Sequence, residues 1–160
     1  MLSDRPGSAS AFVGNPKVGE QLPTLSYQVS APQIFMYSAI TWNRHPIHYN
    51  QTQARLEGHS DILVQRGLLG NLFVRYLNSS YQDIYIQTLA WKVVSSLTPD
   101  QIVQCTATVT HLCQTGWQEK WQLSLAMTHE NRLVCDGTAE IRALQKRDFL
   151  LPIDWEQEKV

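Results

Sequence analysis

The sequence has no excess of charge of either sign. Thirteen Lys and Arg stand against fourteen Asp and Glu, and the net charge is −1 with His neutral. That balance argues against a nucleic-acid groove or a general membrane-surface patch. Cysteine is scarce. Cys105, Cys113 and Cys135 are too few and too odd in number for a disulfide framework, and they lack the C-x-x-C spacing of a structural zinc site. All three fall in stretches that read as strand, which predicts small apolar residues in a reducing compartment. No run approaches a membrane span, and MLSDRPGSASAFVG has no apolar core of signal-peptide length. The expectation is a cytoplasmic protein. There is no internal repeat and no low-complexity segment.

What is present fits one globular domain. The chain has 160 residues, 43% of them apolar and 17% charged, enough to bury a core without staples. Residues 1–15 are rich in Ser, Gly and Pro and read as a flexible N-terminus. Residues 16–148 read as the domain, and 149–160 as a tail that is first apolar and then charged.

Within the domain, Leu25, Tyr27 and Val29 alternate with polar neighbours and predict a short strand. Ser30 before Ala31-Pro32-Gln33 is a helix-start signal, and the apolar spacing predicts a helix from about 31 to 42. Asn43, Arg44 and the His45-Pro46 step should end it, because the residue before proline is pushed out of the α region. Pro46 to Ser60 reads as loop, with one helical turn over Gln51 to Leu56.

The run carrying Leu63, Val64, Leu68, Leu69, Leu72, Phe73, Tyr76 and Leu77 predicts the longest helix, apolar over a broad face. After Asn78-Ser79-Ser80 the composition turns to Val, Ile, Thr, Trp and Tyr. Ile84–Ser96, Ile102–Gln114, Trp121–Thr128 and Leu133–Leu144 predict four antiparallel strands. The third run, counting the early strand, alternates clearly in Val103, Cys105, Ala107, Val109, His111 and Cys113. Helices followed by consecutive strands define an α+β fold, with one sheet wrapping a long helix.

The chemistry-bearing residues crowd into Tyr37–Leu69. The segment TWNRHPIHYN, preceded by VGEQLP and a helix, resembles the MaoC-like hotdog family of enoyl-thioester hydratases and dehydratases, whose loop reads like D-x-N-P-I-H. Here the phrase is Asn43-Arg44-His45-Pro46-Ile47-His48. A branch of mesaconyl-type and mitochondrial-type hydratases is more similar still, with an N-x-H-x-I-H-Y loop. Glu57-Gly58 and Leu63 to Leu68 resemble its E-G and V-V-H-G-P-L. The resemblance covers roughly residues 17 to 145. It implies the hotdog fold, a sheet curled around one central helix and usually paired with a second copy. It also implies addition of water to, or loss of water from, a thioester on coenzyme A or an acyl carrier protein, with no further cofactor.

His48 is the expected base, since imidazole exchanges protons near neutral pH. Asn43 stands where many relatives carry Asp. It can orient a water, or simply stop the preceding helix. Asn50, Gln65 and Arg66 also depart from the branch, which carries Asp, His and a small residue there. Gln65, Arg66 and Gly67 mark the start of the long helix, where unpaired N–H groups can hold a developing oxyanion on the thioester and glycine lets a substrate approach. The same glycine could instead admit a neighbouring helix.

His59 and Asp61 are a second candidate pair, for thioester hydrolysis or addition of an amine, or else exposed loop groups and a cap. Arg142, Lys146 and Arg147 could meet coenzyme A phosphates or simply be solvated. His45, His48 and His59 have no carboxylate or Cys partner in register, so no metal is expected. A homodimer is expected, or a heterodimer with a second hotdog subunit. In the heterodimer the chain could be a non-catalytic acyl-binding partner.

Overall fold

The computed structural model describes residues 16–81, 83–115 and 118–143. The proposed N-terminal segment, the proposed tail, Lys146 and Arg147 lie outside the described residues. Five strands form one antiparallel sheet: β1 (Leu25–Gln28), β2 (Ile84–Val93), β3 (Ile102–Thr115), β4 (Gln118–His129) and β5 (Arg132–Ala143). Their spatial order is β1-β3-β4-β5-β2, so the shortest strand and β2 form the two edges. Between β1 and β2 come α1 (Ala31–Thr41), a 3₁₀ turn (Pro46–His48), α2 (Gln51–Leu56) and α3 (Arg66–Ser80).

The sheet packs one face on α3. β3 supplies Val103, Cys105, Ala107 and Val109 to that face. β4 supplies Trp121, Leu123, Leu125 and Met127, and β5 supplies Cys135, Ala139 and Ile141. α3 answers with Leu69, Leu72, Phe73, Tyr76 and Leu77, all buried. Each such side chain contributes about 1.5–3 kcal/mol on leaving water. The other sheet face is polar, with Lys120–Glu140 at 3.7 Å and Lys92–Asp136 at 3.3 Å. These solvent-reached pairs add little stability.

Two expectations change. The helix expected across the whole apolar run starts only at Arg66; Ile62, Leu63 and Val64 precede it as buried non-helical chain. The Val64 N–H donates to the Leu97 carbonyl at 2.9 Å, so this stretch crosses the turn after β2. The alternation on β3 also breaks. The register shifts between Val109 and His111, so His111 and Cys113 face outward while Leu112 pairs with buried Trp121. One extra residue in a strand sends every later side chain to the opposite face. Of the three cysteines, Cys105 and Cys135 are therefore core and Cys113 is exposed. Burial pushes the Cys105 thiol up to about 12 and that of Cys135 up to about 11.

Candidate active site

The candidate site is assembled by α1 and the chain that follows it. α1 starts with a capping box: the Gln33 N–H donates to Ser30 Oγ at 3.4 Å, and the Ser30 N–H donates to Gln33 Oε1 at 2.8 Å. It ends at Trp42, which takes a left-handed conformation at φ 55 and donates its N–H to the Ser38 carbonyl. The Asn43 N–H reaches the same carbonyl at 3.0 Å. Asn43 thus lies just past the end of the helix, its backbone N–H closing the last turn. Its Oδ1 accepts the His45 N–H at 3.2 Å.

Pro46 then opens a single 3₁₀ turn. Proline is tolerated there because the first turn needs no N–H from it. The turn ends on His48. His48 Nδ1 lies 2.8 Å from the Leu63 carbonyl. A carbonyl can only accept, so Nδ1 carries the ring proton and Nε2 keeps its lone pair. The bond is doubled by a second one between the same segments, from the Leu63 N–H to the Ile47 carbonyl at 2.9 Å. His48 is half-buried. Burial holds its pKa below the ordinary 6.5, the nearby His45 ring adds to the lowering, and the Leu63 carbonyl opposes both. The lowering favours the neutral ring.

Gln65 ties this loop system to α3. It is 2% exposed, and its Nε2 donates to the Ile34 carbonyl and to Ser38 Oγ, each at 2.8 Å. Helix α3 begins here: Gln65 is its N-cap without a side-chain cap bond, and the Leu69 N–H is the first to return to the Gln65 carbonyl, at 3.1 Å. The N–H groups of Arg66, Gly67 and Leu68 have no acceptor within the helix. Leu63, which holds His48, precedes Gly67 by four residues, so Leu63 and Gly67 lie within roughly 14 Å of each other. A Cβ on Gly67 would collide with the Tyr37 hydroxyl. That glycine therefore admits an α1 side chain.

The other candidates are placed elsewhere. The Arg66 guanidinium donates to the Trp91 carbonyl at 2.9 Å, and Trp91 Nε1 donates back to the Arg66 carbonyl at 3.0 Å. Its side chain is thus held on β2. Asn50 caps α2, accepting the Gln53 N–H at 3.0 Å, a task that needs no charge. Asp61 Oδ1 accepts the Ile62 N–H at 2.7 Å and Gln51 Nε2 at 3.1 Å. Among the described residues, no hydrogen bond or ion pair joins Asp61 to His59. The Arg142 guanidinium lies 5.8 Å from the centre of the Tyr85 ring. No group of three or more His, Cys, Asp or Glu among the described residues is placed to hold a metal ion.

A single antiparallel sheet curled on one central helix, with a His-bearing loop bonded to the chain that leads into that helix, defines a hotdog-fold protein. Residues 8–99 match the family described as hydroxyacyl-thioester dehydratase type 2, and the chain belongs to that family. No curated protein matches the chain. Solved structures share the fold at low identity. The (R)-hydratase from A. caviae involved in PHA biosynthesis is 17% identical, with a TM-score of 0.73 over 82% of this chain and 100% of that one. Protein AF1124 from Archaeoglobus fulgidus is 12% identical, with a TM-score of 0.74 over 84% and 83%. A chain of the ChsH1-ChsH2 complex from Mycobacterium tuberculosis is 18% identical, with a TM-score of 0.71 over 80% and 98%.

Proposed function

We propose that the chain reversibly hydrates a 2-enoyl thioester, carried on coenzyme A or an acyl carrier protein, to the 3-hydroxyacyl thioester. The observation that carries this reading is the hydrogen bond from His48 Nδ1 to the Leu63 carbonyl, which leaves Nε2 as a free base. Nε2 takes a proton from water as the water oxygen bonds to the β-carbon. The displaced electron pair moves to the thioester oxygen as an enolate. N–H groups at the start of α3, at Gly67 and its neighbours, hold that charge. The enolate then collapses, and the α-carbon takes the proton that Nε2 acquired. One imidazole balances both transfers, so the missing carboxylate at position 43 does not stop the cycle. Asn43 Oδ1 accepts the His45 N–H, which fixes the amide so that its NH₂ can orient water.

The test is an assay with a short and a long 2-enoyl-CoA, following loss of the conjugated thioester absorbance and release of free thiol. Loss of conjugation without thiol, reduced about 10²- to 10⁴-fold in His48→Ala, is the expected result. Thiol release that survives in His48→Ala would move the chemistry to His59 and Asp61, as thioester hydrolysis.

A second reading is a non-catalytic partner of a complete hotdog subunit. It is favoured by Asn43, whose amide cannot exchange protons, and by exposed Phe35, Met36, Ile40 and Trp42 on and just after α1. A patch of that kind fits a protein surface. In this reading the cytoplasmic chain pairs with a second hotdog subunit. Conversion then appears only after the partner is added.

A further inference from the structure

We infer that His45 is a positioning residue for His48, its Nδ1 capping the one-turn helix that carries the base. The inference rests on the reading of His48 as that base. In the turn Pro46–His48 each backbone donor can be traced. Pro46 has no N–H. The His48 N–H donates to the His45 carbonyl at 3.2 Å, and the Tyr49 N–H donates to the Pro46 carbonyl at 3.0 Å. Ile47 is left, and its N–H meets His45 Nδ1 at 3.4 Å. The imidazole nitrogen thus does what a Ser or Asn oxygen does at a helix start. The distance is long for such a bond, and two other contacts hold the cap in place. Asn43 Oδ1 fixes the His45 backbone. The Tyr49 hydroxyl donates to the Arg44 carbonyl at 2.8 Å, closing the loop around the turn.

The two rings take opposite tautomers. His45 Nδ1 accepts, so its ring proton is on Nε2. His48 Nδ1 donates, so its Nε2 is bare. The rings stand edge to face with centroids 6.1 Å apart. The His48 imidazole is aimed by two anchors, the turn that bears it and the Leu63 carbonyl. The Ile47 carbonyl holds the Leu63 N–H, so fraying of the turn at Ile47 loosens both anchors together. His45 touches no reacting atom in this scheme.

The experiment compares His45→Ala with His45→Asn, which keeps a capping oxygen. Both are assayed for kcat and KM on the enoyl-CoA substrate, and the His48 ring nitrogens are read by long-range proton–nitrogen NMR. His45→Ala should lower kcat about five- to tenfold with KM little changed, the size of a lost cap. It should also turn the His48 signal from the pure Nδ1–H form into a mixture, and His45→Asn should restore both. Unchanged kcat and tautomer in His45→Ala overturn the inference. So does His45→Asn behaving as badly as His45→Ala, which would make the imidazole itself the active part. If His48→Ala keeps full activity, the functional reading fails instead, and the ring tautomer still decides the capping role.

Discussion

The sheet with α3 and the segment 31–65 are held together by different physics. In the first, backbone bonds run strand to strand, and side chains meet as volumes: Phe73, Tyr76, Trp121, Leu123 and Ile141 are essentially without exposure. In the second, α1 buries only Ile34 and Ser38, and α2 only Ala54. Apart from buried Ile62, Leu63 and Val64, what fixes that segment is a series of single polar contacts: Ser30 on Gln33, Asn43 on His45, Asn50 on Gln53, His48 on Leu63 and Gln65 on Ile34. A packed core is sensitive to a lost methylene. A loop held by single polar contacts is sensitive first to a lost donor or acceptor. Proton transfer needs fixed direction more than fixed volume, which suits the candidate site proposed in the second region.

That contrast can be broken from either side. Phe73→Ala should cost about 3–5 kcal/mol, because the cavity opens between α3 and the sheet; the urea midpoint measures it. A loss under 1 kcal/mol would mean that the two layers are not tightly packed. Gln65→Met keeps the length and removes the donor. The Ile34 carbonyl keeps only its helical bond and the buried Ser38 hydroxyl loses its donor, at a cost of about 1–3 kcal/mol. Hydrogen exchange should quicken in α1 and stay slow in β3 to β5. Uniform quickening would show that Gln65 belongs to the core rather than to the loop system.

The smallest effect is the pH response of His48. Its folded pKa lies below the 6.5 of the unfolded chain, so below that pH the unfolded chain binds more protons. The stability it contributes is present above 6.5 and is lost as pH falls through the folded value. The acid limb of kcat/KM should therefore have its midpoint below 6.5. Denaturation midpoints between about pH 5 and 8, taken as the difference between the native chain and His48→Gln, isolate the term. A difference that grows toward acid in favour of the native chain would reverse the sign.

Much of the first region is legible in the chain itself. Period-two runs mark the four long strands to within a few residues, and Ser30-Ala31-Pro32-Gln33 marks the start of α1. The left-handed Trp42 that ends α1 is not legible, because nothing local to a tryptophan requires φ 55. The bulge after Val109 is equally hidden, since Thr110 looks like any strand residue. In the site, the sequence singles out His48 by residue type and neighbours. It misses the roles of His45 and Leu63 entirely. The partner of His48 is a backbone carbonyl fifteen residues away, and every residue carries such a carbonyl.

Composition and periodicity by themselves determined the class: one α+β domain, a sheet around a long helix, and a His-rich loop between two helices. These follow from local rules, because burial of one face imposes a period that can be read along the chain. Only the tertiary structure decided which donor meets which acceptor. It sent Arg66 to Trp91, gave Gln65 to α1, set Asp61 on Gln51, and left His48 Nε2 bare. Such pairings depend on distances across the fold, and hydrogen bonds weaken within tenths of an ångström.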